Sequence, residues 1–188
     1  MEIVTPRTYH KYRNLIETGD LFLFNATDPV SWLISLKTRK YAPNDITAKA
    51  THAAMAYWSE GPTGINRLWI LESVLFGVTQ SYLSNRIAWY LPHGDIYWHK
   101  MRTEYRPYGA QAADKILEKI GTYYDFQDLI LQAFKRAVLD PTRLYCSEAV
   151  VWGWKDIRKL PDDFPVPYPC EMTSDRFGVY EQEGVRIE

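Results

Sequence analysis

Residues 51–74, THAAMAYWSEGPTGINRLWILESV, contain two β-rich runs, Thr51 to Trp58 and Arg67 to Val74. Ser59-Glu60-Gly61-Pro62-Thr63-Gly64, dense in turn formers, separates them, so the stretch predicts an antiparallel hairpin. Side chains alternate across a strand, which places His52 on one face with Ala54, Ala56 and Trp58. On the second run Glu72 shares a face with Leu68, Ile70 and Val74. A histidine on an apolar face is most often a satisfied core residue, but a carboxylate there is costly unless something pairs with it. If the turn closes so that Tyr57 faces Arg67, His52 stands directly opposite Glu72. Such neighbours lie about 4.5–5.5 Å apart, within reach of an imidazole–carboxylate hydrogen bond. A slip of one residue would put the two side chains on opposite faces and remove the pairing.

Working outward, Gly19-Asp20 is a turn before a short strand, Leu21 to Phe24, and Asp28-Pro29 opens a helix through about Arg39. Further strands are expected at Gly77 to Gln80 and, after the turn Pro92-His93-Gly94-Asp95, at Ile96 to Met101. The pattern then changes. Ala110 to Ile120, Phe126 to Leu139 and Cys146 to Ile157 space apolar residues at three and four, with Asp140-Pro141 breaking the chain between the last two. From Pro161 onward an irregular, proline-rich tail is expected. Strands grouped in the first half and helices in the second give an α+β fold, an antiparallel sheet or barrel packed against helices. No internal repeat or linker divides the chain, so residues 1–188 read as one domain.

Composition narrows the function. The chain has 188 residues, 46% apolar and 15% aromatic, enough for a packed core and against a disordered class. With 22 basic and 23 acidic side chains it lacks the basic surplus by which nucleic-acid binders neutralise phosphates. The one basic cluster, Lys37, Arg39 and Lys40, reads as the solvated end of a helix. No run approaches the 18 or more apolar residues of a membrane span, and the first residues do not read as a signal peptide. The expectation is therefore a cytoplasmic protein, or a phage-encoded one delivered by other means. The 7 Trp and 14 Tyr either thicken the core or line a groove for an extended or apolar ligand.

Cys146, Ala149, Val150, Gly153, Trp154 and Ile157 form the inward stripe of one helix, so Cys146 opens that helix on its buried face. The positive end of a helix dipole favours a thiolate, a nearby histidine can take the proton, and the first-turn N–H groups are placed to hold an oxyanion. The plainer alternative, a small buried hydrophobe, stays open at this point. His93 reads as a solvated turn residue, and His99 as core or surface or, less expectedly, as lining a groove. Cys170 precedes no helix start that would activate it, and a Cys146–Cys170 bridge is the less expected state of a cytosolic chain. Glu148, in the first helical turn, suits capping, with binding of a substrate amine as the alternative. There is no G-x-S-x-G, P-loop or H-E-x-x-H motif, and no metal or organic cofactor is implied.

Gly19-Asp20-Leu21, Thr51-His52-Ala53-Ala54-Met55, Leu71-Glu72-Ser73-Val74, Gly121-Thr122-Tyr123-Tyr124-Asp125 and Tyr145-Cys146-Ser147-Glu148-Ala149-Val150 together resemble the circularly permuted, YiiX/YebB-like branch of the NlpC/P60 cysteine hydrolases. The resemblance spans about residues 19–172. It implies a papain-like fold in which permutation places the histidine before the cysteine. It also implies Cys146 as nucleophile, His52 as its base, Glu72 as the group orienting the imidazole, and Tyr124 as a helper at the oxyanion. Lecithin:retinol acyltransferase relatives carry Asn-Cys-Glu-His at the nucleophile, whereas this chain has Tyr145-Cys146-Ser147-Glu148, which favours the amidase side. The implied activity is a thiol peptidase or amidase acting on peptidoglycan stem peptides. An ester or acyl-lipid thiol hydrolase and a non-catalytic binding module on the same fold are the alternatives.

Overall fold

Leu21, Phe22, Leu23 and Phe24 are apolar at every position rather than at alternate ones, and all four are fully buried. A strand of that pattern has to be covered on both faces. The computed structural model, which describes residues 6–26, 29–61, 64–74, 76–122 and 144–187, shows how. Six strands form one antiparallel sheet: β1 (Leu21–Ala26), β2 (His52–Glu60), β3 (Asn66–Val74), β4 (Gly77–Tyr82), β5 (Gly94–His99) and β6 (Val185–Ile187), in the order β4-β3-β2-β1-β5-β6. The α-helices described are α1 (Pro6–Tyr12), α2 (Pro29–Thr38), α3 (Leu83–Tyr90), α4 (Gly109–Leu117) and α5 (Cys146–Arg158), with short 3-10 helices between elements. The α+β expectation holds, as an open sheet between helices.

Two apolar clusters, one on each face, hold the layers together. Leu21, Leu23, Ala53, Met55 and Leu71 pack beneath Ala112, Ala113 and Ile116 of α4 and Ala149, Val150 and Trp154 of α5. Phe22, Phe24, Ala54, Ala56, Leu68 and Ile70 pack against Tyr9 of α1 and Leu83, Ile87 and Tyr90 of α3. The alanines of β2 leave room for helices on both sides. α4 and α5 approach closely at Gly153, where an added Cβ would lie 2.7 Å from the Ala112 carbonyl oxygen. The tail from residue 161 wraps α5: Trp154 Nε1 donates to Tyr180 Oη at 2.7 Å and Arg158 to the Phe177 carbonyl at 2.6 Å.

Gly19-Asp20-Leu21 is a structural joint. The buried Asp20 carboxylate accepts from Trp98 Nε1 (2.8 Å), the Met101 backbone N–H (3.0 Å) and the Glu17 backbone N–H (2.9 Å), locking the start of β1 to the end of β5. Burial raises its pKa to about 6 despite those three bonds.

The expected strands and helices that fall within the described residues are present with shifted ends, and three elements were unforeseen. β5 begins at Gly94, where a turn was expected. α3 follows β4 directly, and the tail, irregular over most of its length, ends in β6, paired to β5 from Ile96↔Ile187 to Trp98↔Val185. α1 packs its Tyr9 on the second cluster. The expected helix at 126–139 lies outside the described residues. No helix among the described residues is long and apolar enough to cross a membrane.

Because the α4–α5 contact closes on Gly153, Gly153→Ala is expected to cost about 1–3 kcal/mol by overpacking. Thermal unfolding checks this, and an unchanged melting temperature would mean the helices separate freely.

Candidate active site

His52 and Glu72 meet, though not in the expected register. The ladder pairs Ala54 with Glu72 and Tyr57 with Trp69, two residues away from the Tyr57–Arg67 alignment. The cause is the turn: the last rung is Glu60↔Asn66, so the connection spans 61–65, where the Gly61 N–H donates to the Ile65 carbonyl at 3.0 Å. A slip of two keeps every side chain on its face. His52 and Glu72 therefore become diagonal neighbours, still spanned by two long side chains, with Nε2 to Oε2 at 2.7 Å.

Glu72 is buried, at 3% exposure. Its Oε2 also receives Arg86 of α3, from Nη2 at 2.8 Å and Nε at 3.1 Å. Burial opposes the carboxylate form, but the hydrogen bond and charge of His52, with Arg86, outweigh it and hold the Glu72 pKa below the ordinary value. The same balance acts on His52. Burial alone would lower its pKa, but hydrogen bonding and charge interaction with the Cys146 sulfur and with Glu72 lift it to about 9. With Nε2 committed to Glu72, Nδ1 is the nitrogen left for the sulfur.

Cys146 is the first residue of α5 and is buried in the first cluster, whereas His52 shares the parity of the second. They reach one another because His52 is the first residue of its strand, at the end of the sheet. Two bonds set the helix start. The Tyr145 backbone N–H donates to Glu148 Oε2 at 3.0 Å, the capping role expected of Glu148. Ser73 Oγ donates to the Leu144 carbonyl, tying the residues before Cys146 to the strand that carries Glu72. Phe24, paired with His52 across β1 and β2, lays its ring 5.4 Å from the imidazole.

Three of the four predicted site residues thus converge, and Tyr124 lies outside the described residues. Cys146 and Cys170 are free thiols, so the bridge is not formed. Cys170 is buried, donates to the Thr38 carbonyl at 3.3 Å, and burial pushes its pKa up to about 12. His99 is core and His93 is exposed. Arg39 and Lys40 are exposed just beyond α2. Sequence reasoning missed Arg86 and Ser73; nothing local to Ser84-Asn85-Arg86-Ile87 marks that arginine as an ion-pair partner. Among the described residues no cluster of His, Cys, Asp and Glu could hold a metal.

His52 titrates near 9 in the folded protein against 6.5 for the ordinary imidazole. The stability it contributes is therefore complete below about pH 6.5 and lost as pH rises through about 9. The wild-type melting temperature should fall over that window more steeply than that of His52→Gln; parallel curves from calorimetry would refute the paired imidazole.

Comparison with known proteins adds no identification: no family model matches the chain, and neither does any curated protein.

Proposed function

We propose that the protein is a papain-like thiol hydrolase of the permuted NlpC/P60 kind, cleaving an amide bond through an acyl-enzyme on Cys146. One observation carries the reading: a single imidazole held between a buried, ionised carboxylate and a thiol at a helix N-terminus. That is the minimum equipment for a thiolate–imidazolium pair.

In the proposed cycle the Cys146 sulfur attacks the carbonyl carbon while His52 holds the thiol proton, and the oxyanion faces the first-turn N–H groups of α5. His52 passes its proton to the departing amine, leaving a thioester. Water, deprotonated by His52, then attacks the thioester carbonyl and releases the acid with return of the proton to sulfur. Glu72 accepts from Nε2 throughout and so fixes which ring nitrogen faces the sulfur. The substrate class favoured by the resemblance is the peptide amide of peptidoglycan stems.

Iodoacetamide labelling tests the pair first, in a Cys170→Ser background. At about pH 6, where a free thiol is almost wholly protonated, Cys146 is expected to react at least about tenfold faster than in His52→Ala. Equal rates in the two proteins would remove the mechanism and leave a binding module. With the pair in place, Cys146→Ala and His52→Ala should each lower turnover of stem-peptide substrates by about 10²-fold or more. Release of fatty acid rather than amine from a mixed panel would reassign the enzyme to acyl esters.

A further inference from the structure

We propose that Arg86 is a positioning residue of this site: by sharing Oε2 of Glu72 with His52 it fixes the carboxylate and partly offsets its charge, so that the imidazole is oriented by a carboxylate of reduced charge. The catalytic consequence rests on the hydrolase reading above, whereas the charge-sharing itself does not.

The geometry is specific. Two N–H groups of one guanidinium and Nε2 of one imidazole converge on a single oxygen, at 2.8, 3.1 and 2.7 Å. Arg86 is itself largely buried, its side chain 16% exposed. Its guanidinium carbon lies 5.3, 4.9 and 5.5 Å from the ring centroids of Phe24, Trp89 and Tyr90. Aromatic faces take the place of water around the cation, and a guanidinium does not give up its proton in a protein. The charge beside Glu72 is therefore permanent. Phe24 contacts both the guanidinium and the imidazole, so the two donors are also held in register with each other.

A bare carboxylate would serve the site less well. Acting on His52 with its full charge, it would stabilise the imidazolium and make the ring slower to release its proton to a leaving amine. Arg86 divides that attraction and adds direct repulsion between cations. The groups facing Glu72 support this account: His52 from β2, Arg86 from α3, Thr79 across the ladder from β4, which is uncharged, and Cys146 of α5 beyond the imidazole. His93 follows α3 and contacts the Trp89 ring at 5.3 Å, which makes it the other titratable side chain to watch.

Removing Arg86 should move two titrations the same way. Without the cation Glu72 protonates more readily, and without the repulsion His52 holds its proton more tightly, so both midpoints rise. Nitrogen NMR of the histidine-labelled full chain reads this directly, with the His52 signal assigned from the His52→Gln spectrum. Arg86→Gln is expected to raise the His52 midpoint by about one pH unit, while Arg86→Lys leaves it within a few tenths of wild type. An unmoved midpoint in folded Arg86→Gln overturns the proposal, since a merely structural arginine would lower stability without shifting a titration. The wild type gives a second test if that variant does not fold. The Arg86 Nε–H and His52 Nε2–H resonances should move together, with one midpoint, as Glu72 protonates; separate midpoints overturn the sharing. The two readings fail separately: Cys146 labelling that ignores His52 sinks the hydrolase, and a His52 titration that ignores Arg86 sinks the positioning role.

Discussion

A carboxylate buried to 3% exposure at the end of β3 is the constraint around which one end of this molecule is organised. An unpaired charge there would cost several kcal/mol, and the fold answers it with two donors from two elements, an imidazole from β2 and a guanidinium from α3. The demand reaches further than the pair. For His52 to arrive, β2 has to begin where it does; for Arg86 to arrive, α3 has to leave β4 without an intervening loop and lie on the second cluster. Ser73, the next residue along β3, turns to the other face and tethers the approach to Cys146. One dipeptide of β3 thus sets both the imidazole and the approach to the thiol.

Neighbours, not residue type, decide the chemistry of the two histidines on the sheet and of the two cysteines. His52 and His99 both experience burial that disfavours their charged forms. His52, facing a thiol and a carboxylate, is raised to about 9, while burial pushes His99, bonded to the backbone at Glu181 and Glu183, down to about 4. Cys146 stands at a helix N-terminus against an imidazole, whereas Cys170 is closed in and bonded to a backbone carbonyl.

The sequence made some of this legible for a simple reason: alternation along a strand and the three-four stripe of a helix are local. His52 and Glu72 could be placed on one face, and Cys146 at a helix start, from their own neighbours alone. The exact rung was not legible, because it depends on a turn whose length its own residues did not reveal; the pairing survived only because the error was even. Arg86 was invisible for a different reason. Its partner lies fourteen positions upstream on β3, and the junction of β4 with α3 carries no distinct breaker. β6 is three residues long and pairs with a strand nearly ninety positions earlier, beyond the reach of any local pattern.

Chain order adds a kinetic dimension. The carboxylate, the imidazole and the guanidinium all lie within residues 52–86, in a run of consecutive antiparallel elements whose contacts close short loops. The sulfur lies sixty residues further on, in a helix that docks by long-range contacts. Loops that are short close first and at least entropic cost. During synthesis from the amino terminus, the carboxylate, the imidazole and the guanidinium can therefore assemble before the ribosome has added the thiol, and the sulfur meets its imidazole only once α5 has docked.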